Sequence, residues 1–217
     1  ALPGTTTTMT IIMRKQLPWH LRETTGTPVP WENRRWYPNA RRGWIQQVEA
    51  KYDEDNKILI ASNYLQPTAN FVSEYDSEPG GHKLDCNSYM NSGQNLANHA
   101  DHGFTNNIGV GSTNHGTYWS TSDATKFSNG LKYCNLVSIS CLSAQFTTMC
   151  WAEYFVRDDQ GGITYTGNTM YGWYDQGNPY TLSGKYDLRW WKMLHEGHYQ
   201  IGETLGEAKN SYPPNDE

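Results

Sequence analysis

Residues 136–141, LVSISC, are a short apolar run that ends at a cysteine. Such runs are typical of strands that are buried in a parallel sheet. Residues 95–101 and 162–167 are interpreted as further strands. We therefore predict strands at 95–101, 134–140 and 162–167. The second of them would place Cys141 at its carboxyl end.

Further elements alternate with these strands along the chain. The run KILIAS at residues 57–62 follows a turn-like acidic segment and predicts another strand. Apolar spacing, with glycine or proline at the ends, predicts helices at 149–156, 185–195 and 199–210. This alternation predicts an α/β protein, a three-layer α/β/α sandwich with a mostly parallel sheet.

Two other segments lack a regular pattern. Residues 1–56 are interpreted as an irregular N-terminal arm, or the remnant of a companion subdomain, before a folded domain at 57–217. Residues 66–93 are rich in Pro, Gly, Ser, Asp and Asn and are interpreted as a long surface connection. The first residue is Ala1 rather than an initiator Met, so we expect an upstream segment.

The composition indicates a folded protein with a polar surface. Hydrophobic residues make up 36% and charged residues 18%, with abundant Trp and Tyr, which argues against disorder. The net charge is −5 and the basic runs are pairs, at 34–35 and 41–42, which argues against a nucleic-acid partner. No apolar stretch approaches the length of about 18 residues that a membrane span needs. We predict neither a nucleic-acid partner nor a membrane span.

The four cysteines differ in their surroundings. They are too few for a disulfide scaffold and lack the CxxC spacing of a zinc site. Cys134 begins a predicted strand and Cys150 lies on a predicted helix, so both are interpreted as buried packing. Cys86 falls in the predicted surface connection, where we expect exposure. Cys141 remains as the candidate nucleophile.

His102 and Cys141 each follow a predicted strand. In parallel sheets, functional groups gather beyond the carboxyl ends of the strands, so these two side chains can converge. A thiol becomes nucleophilic beside a base, and acyl transfer needs backbone N–H groups at the developing oxyanion. Gly103 lets the backbone approach a substrate closely. The pattern predicts a cysteine hydrolase with Cys141 as nucleophile, His102 as acid/base, and the backbone N–H groups of Gly103 and Cys141 as oxyanion hole.

Two blocks of the chain resemble the gingipain family of cysteine peptidases, peptidase family C25, whose catalytic domain is caspase-like. SGQNLANHADHG at residues 92–103 is similar to the family's block of strand and His-Gly pair. VSISCLSAQF at 137–146, with CWAE at 150–153, is similar to its cysteine block. The resemblance implies a caspase-like catalytic domain at 57–217, with Cys141 and His102 in the catalytic positions.

The resemblance also implies the setting of the enzyme. It implies an endopeptidase that cleaves protein or peptide substrates and is secreted or displayed on the cell surface. It requires no cofactor, although structural calcium sites occur in the family and the acidic segment 53–56 is interpreted as a turn. An N-terminal segment or companion subdomain is an expected partner.

Candidate substrate-binding residues come from two segments. The loop at 167–173 resembles the wall of the family's specificity pocket, which assigns Asn168 and Trp173 to substrate binding. An acidic pocket residue would favour Arg or Lys before the scissile bond. The candidates for that acid lie in the predicted connection: Glu74, Asp76, Glu78 and Asp85. The carboxylate that orients His102 is not identified by the sequence.

Other histidines and motifs of the chain give weaker support for a different site. His115 begins a second His-Gly pair, but no apolar strand precedes it, and His99 is interpreted as structural. His195 and His198 are three residues apart, whereas two zinc ligands on one helix need a spacing of four, so we predict no metal site. No GxSxG motif for a serine hydrolase occurs. A secreted, aromatic-rich binding module and a catalytically inactive peptidase-like protein remain as alternatives.

Overall fold

The computed structural model describes residues 10–14, 44–48, 56–65, 71–75, 79–111, 117–173, 178 and 180–212. Within these residues the main sheet has six strands, and a separate small sheet has three. The main-sheet strands are β1 Thr10–Arg14, β2 Trp44–Val48, β3 Phe71–Tyr75, β4 Leu96–Ala100, β8 Cys134–Ser138 and β9 Gly162–Asn168. The small-sheet strands are β5 Gly103–Phe104, β6 Asn107–Gly109 and β7 Tyr118–Ser120.

The main sheet is mostly parallel. Its strand order is β1-β9-β8-β4-β2-β3, and among these described strands only β1 runs antiparallel to its neighbour. Strand β4 pairs with β8 in the register Leu96↔Asn135 to His99↔Ser138. The carboxyl ends of β4 and β8 are therefore side by side, which places the residues after them at one edge of the sheet.

Helices cover both faces of this sheet. In chain order they are α1 at 56–65, whose second half, Ala61–Leu65, is π-helical, α2 His82–Ser92, α3 Thr121–Ala124, α4 Trp151–Arg157, α5 Leu182–His195 and α6 Ile201–Asn210. Successive residues of a strand point to opposite faces, so each strand contributes to two cores. Ala97 and Leu136 pack with α2, α3 and α4, whereas Leu96 and Val137 pack with α1, α5 and α6. This is the predicted three-layer α/β/α sandwich.

Most of the predicted elements are confirmed. The strands predicted at 95–101, 134–140 and 162–167 are β4, β8 and β9. The helices predicted at 149–156, 185–195 and 199–210 are α4, α5 and α6. Cys134 and Cys150 are buried, as expected from their apolar neighbours.

The strand predicted at 57–62 is wrong, since these residues belong to helix α1. Burial shows the reason. Lys57, Ile60 and Ala61 are buried while Ile58 is half exposed, which is a helical period rather than alternation. A short apolar run does not distinguish a strand from one turn of a buried helix.

The surface connection predicted at 66–93 is also wrong, because it contains β3 and α2. Polar residues dominate α2, but the helix buries His82, Cys86 and Met90 at a spacing of four. Cys86 is consequently fully buried rather than exposed. Its burial, and then the negative charges of Glu74, Asp85 and Asp101, raise the pKa of the Cys86 thiol well above its usual range.

The irregular structure expected for residues 1–56 is corrected at two places. Residues Thr10–Arg14 form β1 beside β9, and Trp44–Val48 form β2 between β3 and β4. Backbone pairing with the sheet overrides a composition that has no strand periodicity. The boundary proposed at residue 57 stays a prediction. No helix among the described residues is long and apolar enough to cross a membrane.

Candidate active site

Cys141 lies in the turn that follows β8, at the carboxyl edge of the sheet. Its side chain is half buried, and the N–H of Gly172 donates to its Sγ over 3.2 Å. The same sulfur lies 3.6 Å from the Gly172 carbonyl oxygen. A backbone N–H that points at sulfur stabilises the thiolate, which is the reactive form.

Leu142 gives this turn an unusual backbone. Its φ is 55°, in the left-handed region that side chains with a Cβ rarely adopt. Its N–H donates to the Met170 carbonyl over 2.9 Å, which holds the conformation. Strained positions of this kind are concentrated at functional sites because they aim a neighbouring side chain. Here the neighbour is Cys141.

His102 follows β4 and is exposed to solvent. The turn that carries it is held by the buried Asp101 carboxylate, which accepts hydrogen bonds from the N–H groups of His102 and Gly111. The carbonyl of His102 accepts a hydrogen bond of 2.7 Å from the N–H of Gly109. His102 therefore has a fixed backbone and an accessible imidazole.

Gly103 brings the two turns into contact. A Cβ at this position would lie 2.6 Å from the Cys141 carbonyl oxygen and 2.8 Å from the Cβ of Ser140. Both distances are shorter than side chains tolerate, so the approach of the two turns depends on glycine. The structure thus places His102 and Cys141 on adjoining turns at the same edge.

The loop predicted as a pocket wall borders Cys141. The Asn168 side chain is buried and donates to the Ile139 carbonyl over 2.9 Å, so it braces the loop from below. Trp173 is exposed. Its N–H donates to the Oγ of Ser183 at the start of α5, and its carbonyl accepts from the N–H of Ser183. The ring of Tyr171 lies 6.4 Å from that of Trp173. Two exposed aromatic rings therefore flank the residue that contacts the thiol.

Of the four acidic candidates for the pocket, the structure describes Glu74 and Asp85. Glu74 is buried on β3, two strands from β4, and its Oε1 lies 2.5 Å from the Nδ1 of His82. This partner occupies the carboxylate, so the predicted role of Glu74 as an open pocket charge is corrected. Asp85 is in the first turn of α2. Asp76 and Glu78 lie outside the described residues.

The other histidines have separate locations. His99 is fully buried on β4, as its interpretation as structural requires. His198 pairs with Glu203 and His195 with the Tyr64 carbonyl near the far end of α5, while His115 lies outside the described residues. Among the residues that the structure describes, no three His, Cys, Asp or Glu side chains are grouped to hold a metal ion.

Sequence reasoning missed several residues that shape this site. Gly172 contacts the thiol, and Asp101 holds the His102 turn. Ser138, Ser140 and Ser143 form a buried hydrogen-bonded chain beneath Cys141. The alternation Ser-Ile-Ser before Cys141 is a signal that could have been used, since residues two apart on a strand share a face.

The sequence profile of peptidase family C25 matches residues 29–216. The chain belongs to peptidase family C25. The match begins well before residue 57, so this C25 chain includes β2 in its family domain, in agreement with the place of β2 in the sheet. No curated protein matches the chain.

Solved structures are similar to this C25 chain in fold. A crystal structure of the Arg specific cysteine proteinase gingipain R (RGPB) has a TM-score of 0.64 at 16% identity, covering 78% of this chain and 41% of that one. A complex of Porphyromonas gingivalis RgpB pro- and mature domains has a TM-score of 0.59 at 15% identity, covering 78% and 43%. At such identities the likeness shows the fold alone. The C25 chain spans less than half the length of either.

Proposed function

We propose that this domain is a cysteine endopeptidase in which Cys141 is the nucleophile and His102 the acid/base. The observation that carries the proposal is the contact of the two turns at Gly103, within a chain of peptidase family C25. A thiol and an imidazole on adjoining turns at a sheet edge are the groups that acyl transfer requires. A binding module gives no reason for that pairing.

The first half of the reaction forms a thioester. The Cys141 thiolate attacks the peptide carbonyl carbon, so that an S–C bond forms and the carbonyl oxygen becomes an oxyanion. Backbone N–H groups of Gly103 and Cys141 stabilise that oxyanion. The C–N bond then breaks as the His102 imidazolium gives its proton to the leaving amine.

The second half regenerates the enzyme. His102, now neutral, takes a proton from a water molecule that attacks the thioester carbon. The C–S bond breaks, the carboxylic acid product leaves, and Cys141 returns as a thiolate beside the Gly172 N–H. These steps use no cofactor.

We extend the proposal to a basic residue, Arg or Lys, before the scissile bond. One similar structure is that of an Arg specific proteinase, which supports this preference. The exposed rings of Tyr171 and Trp173 support it physically, because a cation over an aromatic face is attracted by about 0.5–2 kcal/mol. Asp76 remains the proposed counter-charge. Secretion, a structural calcium ion and a companion pro-domain or subdomain are further proposals that rest on the family.

The test combines turnover with labelling. The reduced protein is assayed on a fluorogenic peptide library that is varied at the position before the cleaved bond. We expect cleavage after Arg or Lys, and a loss of at least about 10³-fold in kcat for Cys141→Ala and His102→Ala. His198→Ala, at a partly exposed histidine near the far end of α5, serves as the matched control and should keep full activity.

Iodoacetamide labelling followed by mass spectrometry identifies the reactive thiol. Cys141 should be labelled first, and Cys86 should stay unlabelled in the folded protein because it is fully buried with a raised pKa. Retention of activity in Cys141→Ala, or no cleavage by the folded and reduced wild type, would contradict the proposal. Cleavage after acidic residues would contradict the basic preference alone.

A further inference from the structure

His99 makes two hydrogen bonds that lead in different directions. It is fully buried on β4, three residues before His102. Its Nε2 lies 2.6 Å from the Gly109 carbonyl oxygen and its Nδ1 lies 2.8 Å from the Oγ of Ser138. A carbonyl can only accept, so Nε2 carries the proton and Nδ1 accepts from the Ser138 hydroxyl. Burial keeps this imidazole neutral, and the two bonds then fix one tautomer, protonated at Nε2.

The first direction leads to His102. Gly109, whose carbonyl accepts from His99, donates its own N–H to the carbonyl of His102 over 2.7 Å. A Cβ on Gly109 would lie within 2.4 Å of the Asp101 carboxylate, so a side chain larger than that of glycine would not fit at position 109. His99 thereby fixes the strand that closes the His102 turn.

The second direction leads to Cys141. The Oγ atoms of Ser138 and Ser140 are 2.7 Å apart, and those of Ser140 and Ser143 are 2.9 Å apart. The hydroxyl of Tyr165, on β9, donates to Ser143 Oγ over 2.7 Å. We call His99, Ser138, Ser140, Ser143 and Tyr165 the hydroxyl network. It runs from β4 to β9 beneath the turn that carries Cys141.

We propose that His99 is a positioning residue for the peptidase reaction, which sets the distance between the His102 and Cys141 turns through its bonds to Gly109 and Ser138. The inference rests on the proposed function, since it assigns a role within that reaction. It goes beyond a packing role for His99, because packing needs only the volume of the ring. Positioning needs both ring nitrogens.

Two substitutions of His99 each keep one of its hydrogen bonds and remove the other. In His99→Asn the amide oxygen lies near the former Nδ1 and keeps the bond from Ser138, while the bond to Gly109 is lost. In His99→Gln the longer amide reaches the Gly109 carbonyl, while the bond from Ser138 is lost. We expect each variant to lower kcat by about 10- to 100-fold with little change in KM, because a misplacement of about 1 Å can cost 100-fold in rate.

The matched control is Thr204→Val on α6. Thr204 is fully buried and its hydroxyl donates to the carbonyls of His198 and Gln200, far from the catalytic edge. It loses hydrogen bonds of the same kind as the His99 variants, so its stability should fall comparably. Its kcat should stay within twofold of wild type, which distinguishes positioning from general destabilisation.

A readout without peptide substrate completes the test. The nitrogen chemical shifts of His99 in the wild type should report a neutral ring protonated at Nε2 at pH 7. A ring protonated at Nδ1, or charged, would overturn the inference. So would wild-type kcat in both His99→Asn and His99→Gln while Cys141→Ala is inactive, and this result would leave the proposed function intact. Activity in Cys141→Ala would instead remove the proposed function.

Discussion

Asn98 and His99 are neighbours on β4, and their side chains enter buried polar networks of different kinds on the two faces of the sheet. Asn98 joins the charged network of Lys57, Asn98 and Asp187, in which Lys57 Nζ bonds both Asp187 and Asn98 Oδ1. His99 joins the hydroxyl network, which bears no formal charge. The charged network connects α1 and α5 to the sheet, whereas the hydroxyl network connects the two candidate catalytic turns.

The difference follows from what each network must do. The side chains of Lys57 and Asp187 are in contact and fully buried, so their charges compensate one another and hold α1 against α5. Hydroxyls both donate and accept, so a chain of them satisfies several buried groups without burying a net charge. One central strand, β4, therefore contributes to the stability of the layers on one face and to the geometry of the site on the other.

The largest expected effect is on the charged network. Lys57→Met would leave the Asp187 carboxylate buried and uncompensated, so we expect the free energy of unfolding to fall by about 3–5 kcal/mol. Urea unfolding measures the loss. Lys192→Met is the control, because the exposed Lys192 pairs only loosely with Glu196, over 3.7 Å, and should change stability by less than about 1 kcal/mol. An equal loss of stability in the two variants would show that the buried charged network contributes no more than an exposed ion pair.

The hydroxyl network should respond to pH. Burial lowers the pKa of His99 from its usual 6.5 to about 4, the Gly109 carbonyl acts in the opposite direction, and Lys57 lowers the pKa further. Between these pH values the unfolded chain binds a proton that the folded protein does not, so stability decreases as pH falls from 6.5 towards 4. The full difference corresponds to about 3 kcal/mol.

Urea unfolding at pH 7, 5 and 4 measures this dependence. The wild type should lose more stability than His99→Gln, which has no titrating group at this position. His195→Gln, at an exposed histidine, is the control and should follow the wild type. Parallel pH profiles for the wild type and His99→Gln would show that His99 does not remain neutral by burial.

The smallest expected effect concerns the contact that the hydroxyl network supports. In Gly103→Ala the new methyl group would meet the Cys141 carbonyl, so the two turns must separate. We expect kcat/KM to fall by about 100-fold, equal to about 2.7 kcal/mol. Gly202→Ala on α6 is the control, since nothing lies within 4 Å of its added Cβ. Unchanged activity in Gly103→Ala would place the reacting groups elsewhere.

Much of the fold could be predicted because it depends on local pattern. Strands β4, β8 and β9 are short apolar runs at turn boundaries, and the helices after Cys150 show a helical apolar period. The prediction failed where burial did not follow apolar residues. Helix α1 buries Lys57 and Asn56, and α2 buries His82 beside mostly polar neighbours. The apolar residues of these two segments therefore do not repeat with the period of a helix, about 3.6 residues.

The amino-acid sequence is enough to predict that a histidine and a cysteine each follow a strand of a parallel sheet. Their local neighbours, an apolar run before each and Gly103 after His102, carry that information. The groups that hold these two residues in place depend on the folded arrangement of the chain. Gly172 meets the thiol across 31 positions, and Ser138 meets His99 across 39. The physical reason is that strand order and register, set by packing of both helical layers, bring these segments together, and no local pattern encodes the partner of a hydrogen bond made across strands.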